Sequence, residues 1–230
     1  MKKIKGTPLR VSGSALMAIS LGMFASSGVA VIDGGGGALG LLVSAILTLL
    51  IGTFMFGASS VSDRADTPVA LASVAWSWLA VSIAGALPFL MTGSIPWAHF
   101  DDALFESVSG FTCTGSTILS DIEAVPRGVL FFRSMIQWFG GMGLIVLAVA
   151  VLPALKIGGL ELIANEAPGP TADRLTPKVT DTARRLWLLY GGITLAMIAA
   201  LMVVGLSPYD AASHAFTTVA TGGFSPYNAS

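Results

Sequence analysis

Five stretches of this sequence, residues 11–32, 38–56, 69–91, 131–152 and 186–206, are apolar, nearly free of charge and long enough to carry a helix across a hydrocarbon layer of ~30 Å. Nothing else constrains the fold as strongly. The chain is 54% hydrophobic and only 11% charged, with a mean hydropathy of +0.80. Soluble chains carry about a quarter charged residues, so too little polar surface is available here to cover a water-soluble globule. The expected class is an all-α polytopic membrane protein with lipid as its first partner. The basic start, Met1-Lys2-Lys3-Ile4-Lys5, is signal-peptide-like. The run 11–32, however, has spanning length, lacks a clear small-residue cleavage site and is followed by further spans, and is therefore read as a retained first helix.

Other classes fall away on simple grounds. A net charge of −1 with scattered basic residues offers no stripe for nucleic acid. One cysteine, Cys113, rules out an intrachain disulfide framework, and two histidines without Cys/His spacing give no transition-metal site. The run Gly34-Gly35-Gly36-Gly37 lacks the strand, Lys-Ser/Thr and helix of a phosphate-binding loop, and reads as a tight turn joining the first two spans into a hairpin. A membrane enzyme would need a convergent acid/base or metal cluster inside the spans, where ionisable residues are nearly absent. Neither a cofactor nor catalysis is expected.

Two segments are neither spans nor ordinary loops. Residues 101–110 read as a helix too short to cross a bilayer, running into Phe111-Thr112-Cys113-Thr114-Gly115-Ser116-Thr117. Residues 209–218 have the same character and run into Val219-Ala220-Thr221-Gly222-Gly223-Phe224-Ser225. The offset between these units is 107 if Gly115 is paired with Gly222, and 108 if Asp102-Ala103 is paired with Asp210-Ala211. Non-helical backbone at membrane depth survives only inside protein or along a water-filled path, because each unpaired N–H or C=O facing lipid costs several kcal/mol. Re-entrant Thr/Gly segments therefore point to a pore. Glycine lets successive carbonyls turn toward one axis, and an alkali cation stripped of water needs such an oxygen cage.

These residues carry a family resemblance. The segments 105–116 and 215–225 are similar to the first and second pore loops of the Trk/Ktr/HKT potassium transporters, and residues 133–143, Arg-Ser-Met-Ile-Gln-Trp-Phe-Gly-Gly-Met-Gly, resemble the start of the helix after that family's first loop. The leading hairpin matches the Trk branch. The resemblance implies four helix/pore-loop/helix repeats around a pseudo-fourfold axis, of which this sequence holds the N-terminal two, with the C-terminal repeats missing. It implies K⁺ uptake through a carbonyl-lined filter built here from Thr112, Cys113, Thr114 and Gly115 and from Val219, Ala220, Thr221 and Gly222, with Gly110 and Gly223 in support. Cys113 stands where the family often has threonine. The family also implies a homodimer when complete, a cytoplasmic nucleotide-binding regulatory subunit, and a place in the bacterial cytoplasmic (inner) membrane. A non-conducting scaffold or truncated half-transporter is the alternative.

The expected organisation is an N-terminal hairpin (1–60), a first repeat (61–155), a polar connector (156–184) and a second repeat (185–230). Gly140, Gly141 and Gly143 serve close packing or a hinge. Gln137 is placed to bond a pore-helix backbone or water. Arg127 and Arg133 are expected to pair with Glu106, Asp121 or Glu123, and His214 to have a structural role.

A cytoplasmic N-terminus gathers Lys2, Lys3, Lys5, Arg10, Arg64, Lys156, Arg174, Lys178, Arg184 and Arg185 on the inside, leaving only Arg127 and Arg133 of the 12 basic residues beyond it. The opposite face then carries Asp33, Asp101, Asp102, Glu106, Asp121, Glu123 and Asp210. An introduced cysteine at Gly36 should accordingly react with membrane-impermeant thiol reagents from outside intact cells. Reaction only after the inner face is opened would reverse the topology.

Overall fold

The computed structural model of the chain describes residues 4–5, 7–60, 67–151 and 175–229. The regular structure of the described part is helical apart from two parallel two-residue strands, β1 (Ile4–Lys5) and β2 (Ser59–Ser60). Its helices are α1 (Thr7–Ile32), α2 (Ala38–Ala58), α3 (Thr67–Met91), α4 (Phe100–Phe111), α5 (Arg127–Val151), α6 (Leu175–Val203) and α7 (Pro208–Val219). Stretches of α1, α2, α3 and α6 have the length and composition to cross a membrane. With α5, a continuous helix of 25 residues, they fill the five predicted spans. Most of the expected connector lies outside the described residues. In its last part α6 already begins, at Leu175, because the polar stretch ahead of the apolar run continues the same helix.

The hairpin is closed by glycine. Gly34, Gly35 and Gly37 have φ of 101°, 86° and 73°, a region open to glycine at no steric cost. Where α1 and α2 cross, a Cβ on Gly13 would lie 2.7 Å from the Gly52 carbonyl oxygen, so the backbones themselves are in contact. Ser27 fastens the other end by donating to the Ala38 carbonyl at 2.9 Å.

Contacts at the helix ends fix the directions of the chain. Gly40 sits against the Met91 carbonyl, Gly37 against Thr92 and Pro126, and Arg127 reaches Asp33 at 3.2 Å. The α1–α2 turn, the C-terminus of α3 and the N-terminus of α5 therefore share one end of the molecule. At the other end Ile4 pairs with Ser59, and the Arg10 guanidinium lies 4.0 Å over the Phe56 ring. The core between α1, α2, α3 and α5 is built from Met23, Leu41, Phe89, Val129, Phe132 and Ile136, all fully buried. Leu39, Leu50 and Phe54 on α2, and Leu188, Leu195 and Val203 on α6, face outward and are exposed, an apolar surface of the kind membrane spans carry.

α4 and α7 have 12 residues each. At ~1.5 Å per residue they reach about 18 Å, a little over half the hydrocarbon thickness. Asp101 and Asp102 occupy the first turn of α4 and Asp210 that of α7, where carboxylates suit the positive end of the helix dipole. Ser207 caps α7 by accepting from the Asp210 N–H at 3.2 Å, with Pro208 at the first helical position.

Gly13→Ala should place a methyl against the α2 backbone and lower the stability of the purified protein by about 1–3 kcal/mol, the usual cost of overpacking. Thermal unfolding in detergent reads the effect, and an unchanged midpoint would show that the crossing is looser than described.

Candidate pore loops

Both short helices end in the same closure. After α4, the N–H groups of Thr112, Cys113 and Thr114 donate to the carbonyls of Val108, Gly110 and Ser109 at 2.9, 3.0 and 2.9 Å. After α7, Ala220, Thr221 and Gly222 donate to Phe216, Thr218 and Thr217 at 3.2, 3.0 and 2.8 Å. Every donor and acceptor is shifted by 108. The pattern is a Schellman cap, whose turning residue must be left-handed. Here that residue is Cys113 (φ 54°) or Thr221 (φ 56°) rather than glycine, which costs on the order of 1 kcal/mol at each site.

This geometry decides the register of the repeat. Cys113 corresponds to Thr221, Thr114 to Gly222, and Gly115 (φ 78°) to Gly223 (φ 84°). Of the two offsets the sequence allows, 107 and 108, the hydrogen bonds follow 108. Val219, expected within the second filter strand, is the last residue of α7 and the counterpart of Phe111, and Gly223, expected as a support, holds the position matching Gly115.

The two strands touch. A Cβ on Gly115 would run into the Gly222 carbonyl oxygen, and a Cβ on Gly222 into the Gln137 side-chain amide. Gly223 is required differently, by its φ alone, since nothing lies near its missing Cβ. Thr112, Thr114, Ser116, Thr221 and Gly223 are exposed. Within the first strand the Thr112 and Thr114 hydroxyls are 2.8 Å apart, and the Ser109 hydroxyl donates to the Ser116 carbonyl at 2.6 Å.

One helix backs both loops. Gly140 of α5 lies against the Phe111 carbonyl, Gly141 against Ala220 and the Tyr190 hydroxyl, and Gly110 of α4 against Ile136. α5 runs unbroken through Gly140, Gly141 and Gly143, so the first two act as packing glycines that admit neighbouring backbone. The Cys113 thiol donates to the Gln137 carbonyl at 3.3 Å, which turns it toward α5. The Gln137 side-chain oxygen accepts from the Phe224 N–H at 3.1 Å, so Gln137 serves the backbone just beyond the second loop rather than a pore helix. Its Nε2 is buried without a partner among the described residues.

At the centre of this assembly lies an ion pair. Arg133 Nε meets Glu106 Oε1 at 2.6 Å, with the two side chains 2% and 0% exposed. Glu106 also accepts from the Thr117 hydroxyl at 2.9 Å and the Ile118 N–H at 3.2 Å. Arg133 donates to the Ser225 carbonyl at 2.9 Å and stacks 3.6 Å over the Phe224 ring. Of the three carboxylates expected as its partners, Arg133 takes Glu106. Arg127 takes none of them and pairs with Asp33. Asp121 and Glu123 bind Asn228 instead, at 2.9 and 3.1 Å, and the Asn228 side-chain oxygen accepts from the Ile122 N–H at 2.7 Å. The segment after the second loop thus clasps the segment after the first. His214 stacks on Tyr227 with ring centroids 6.2 Å apart, a structural role.

Gly115→Ala should destabilise the purified protein more than Gly223→Ala, because the first adds a backbone collision to the left-handed penalty of about 1 kcal/mol that both share. Cys113→Thr should be nearly neutral, since Thr221 already occupies the equivalent left-handed position. Melting midpoints of the three variants check the order.

Comparison with known proteins agrees with this architecture. The sequence model of the TrkH cation transport protein family matches residues 43–230. The Trk system potassium uptake protein TrkH of Vibrio parahaemolyticus is 47% identical over 154 residues, covering 66% of this chain and 32% of that protein. TrkG of Escherichia coli, also a Trk system potassium uptake protein, is 44% identical over the same length and shares. The crystal structure of the potassium transporter TrkH from Vibrio parahaemolyticus superposes with a TM-score of 0.81 at 35% identity, covering 96% of this chain and 44% of that one. The chain thus spans less than half the length of these relatives. Matched over most of its residues by the family and over nearly all of them by that fold, it belongs to the TrkH family of cation transport proteins.

Proposed function

We propose that this chain forms part of the pore of a potassium-uptake transporter and contributes two neighbouring strands of its selectivity filter. The observation that carries the reading is the pair of re-entrant loops, closed by the same hydrogen bonds 108 residues apart, in contact at Gly115 and Gly222, and backed by one helix. Potassium is the cargo because the relatives are potassium uptake proteins. In the register of the structure, the filter backbone comprises Thr112, Cys113, Thr114 and Gly115 with Ala220, Thr221, Gly222 and Gly223.

The functional groups are carbonyls, with no covalent chemistry. Each short helix turns its negative C-terminal end toward the loop that follows, which favours a cation there. The Cys113 thiol is occupied by α5, so position 113 serves the ion through its backbone. The N-terminus lies in the cytoplasm, the acidic end of the bundle faces outward, and the membrane is the bacterial cytoplasmic membrane. The working transporter includes the C-terminal repeats, pairs as a homodimer and answers to a cytoplasmic nucleotide-binding subunit. The distribution of basic residues supports the orientation, and family resemblance supports the rest.

In the complete transporter, Gly115→Ser or Gly222→Ser should degrade the preference for K⁺ over Na⁺ far more than Cys113→Thr. Uptake of both ions at matched expression decides it. Selectivity unchanged in both glycine variants, or lost only on altering Cys113, would remove the carbonyl filter from consideration.

A further inference from the structure

The buried ion pair does more than neutralise two charges, and this argument rests on the pore reading above. With the repeat register at 108, Thr117 of the first repeat corresponds to Ser225 of the second. Glu106 accepts a hydrogen bond from Thr117, and Arg133 donates one to Ser225. The two partners of one ion pair therefore hold equivalent points, each just beyond its filter strand. The second repeat has no carboxylate of its own at this place, since the residue matching Glu106 is His214, which stacks on Tyr227. Its strand is fastened across the repeat boundary, through Arg133.

We propose that Glu106 and Arg133 are positioning residues for ion choice, setting the spacing between neighbouring filter strands. The chemistry suits the task. Nε and Nη1 of one planar guanidinium serve the carboxylate and the Ser225 carbonyl together, so the angle between the two ties is fixed. The Phe224 ring closes one face of that plane at 3.6 Å. Glu106 spends its remaining acceptor sites on Thr117 and Ile118, leaving little freedom for the first strand to shift against the second. A lysine keeps the charge but cannot reproduce the planar fork.

The test uses the complete transporter carrying this chain, with K⁺ and Na⁺ uptake measured at equal amounts of membrane-embedded protein. Arg133→Lys should lower the K⁺/Na⁺ preference roughly tenfold, and Thr117→Val about threefold, the scale expected when groups bonded to buried charges lose a partner. Thr117→Ser, which restores the hydroxyl, should return selectivity to the parent value. Arg127→Gln, which breaks an exposed pair with Asp33, should leave it unchanged. If Arg133→Lys fails to assemble, the Thr117 variants decide alone, since Thr117 is exposed and Glu106 has Arg133 and the Ile118 N–H as partners without it. A parent transporter that takes up no potassium would overturn the pore reading itself. A selective parent whose Thr117→Val and assembled Arg133→Lys forms are equally selective would overturn only the positioning role.

Discussion

A guanidinium and a carboxylate shielded from water must satisfy one another and find partners for their remaining atoms, and the loop region is organised around that demand. Arg133 and Glu106 draw together α5, α4, the residues after the first loop and the residues after the second. Removing one partner would leave an uncompensated buried charge, typically worth about 3–5 kcal/mol. The exposed Arg127–Asp33 pair, by contrast, lies in solvent, where such pairs contribute about 1 kcal/mol or less. Two arginines that looked alike in the sequence thus differ in importance by their burial.

α5 makes the arrangement compact. A helix with side chains throughout would hold both loops away from its axis, but Gly140 and Gly141 let the Phe111 carbonyl and Ala220 approach its backbone. Gln137 fills the remaining space, with its carbonyl taken by Cys113 and its side-chain oxygen by Phe224. Two Thr/Gly segments are then braced by one rod.

Much of this was legible in the sequence, for identifiable reasons. The spans follow from uninterrupted apolar runs, and α4 and α7 from runs too short to cross, each leading into Thr and Gly. The register was not legible, because the left-handed turn that sets it falls on Cys113 and Thr221, residue types that do not advertise a positive φ. Pairing glycines gave an offset of 107 and pairing the Asp-Ala dipeptides gave 108, with nothing in the sequence to choose between them. The partner of Arg127 was missed because docking of the hairpin turn on the start of α5 is a tertiary event, with the two charges 94 positions apart in the sequence. The early start of α6 was hidden by its composition, since a helix that extends past the apolar region reads locally as a connector.

The order of synthesis gives the ion pair one more consequence. Glu106 precedes Arg133 by 27 residues, and Ser225 follows it by 92. When α5 emerges, the carboxylate that neutralises its arginine has already been made and can meet it as the helix enters the bilayer, so the charge need not be carried into lipid alone. The guanidinium is then left with a free donor until the later loop arrives. In the order of synthesis, the residue that ties the first loop to Arg133 thus comes before it and the one that ties the second comes long after.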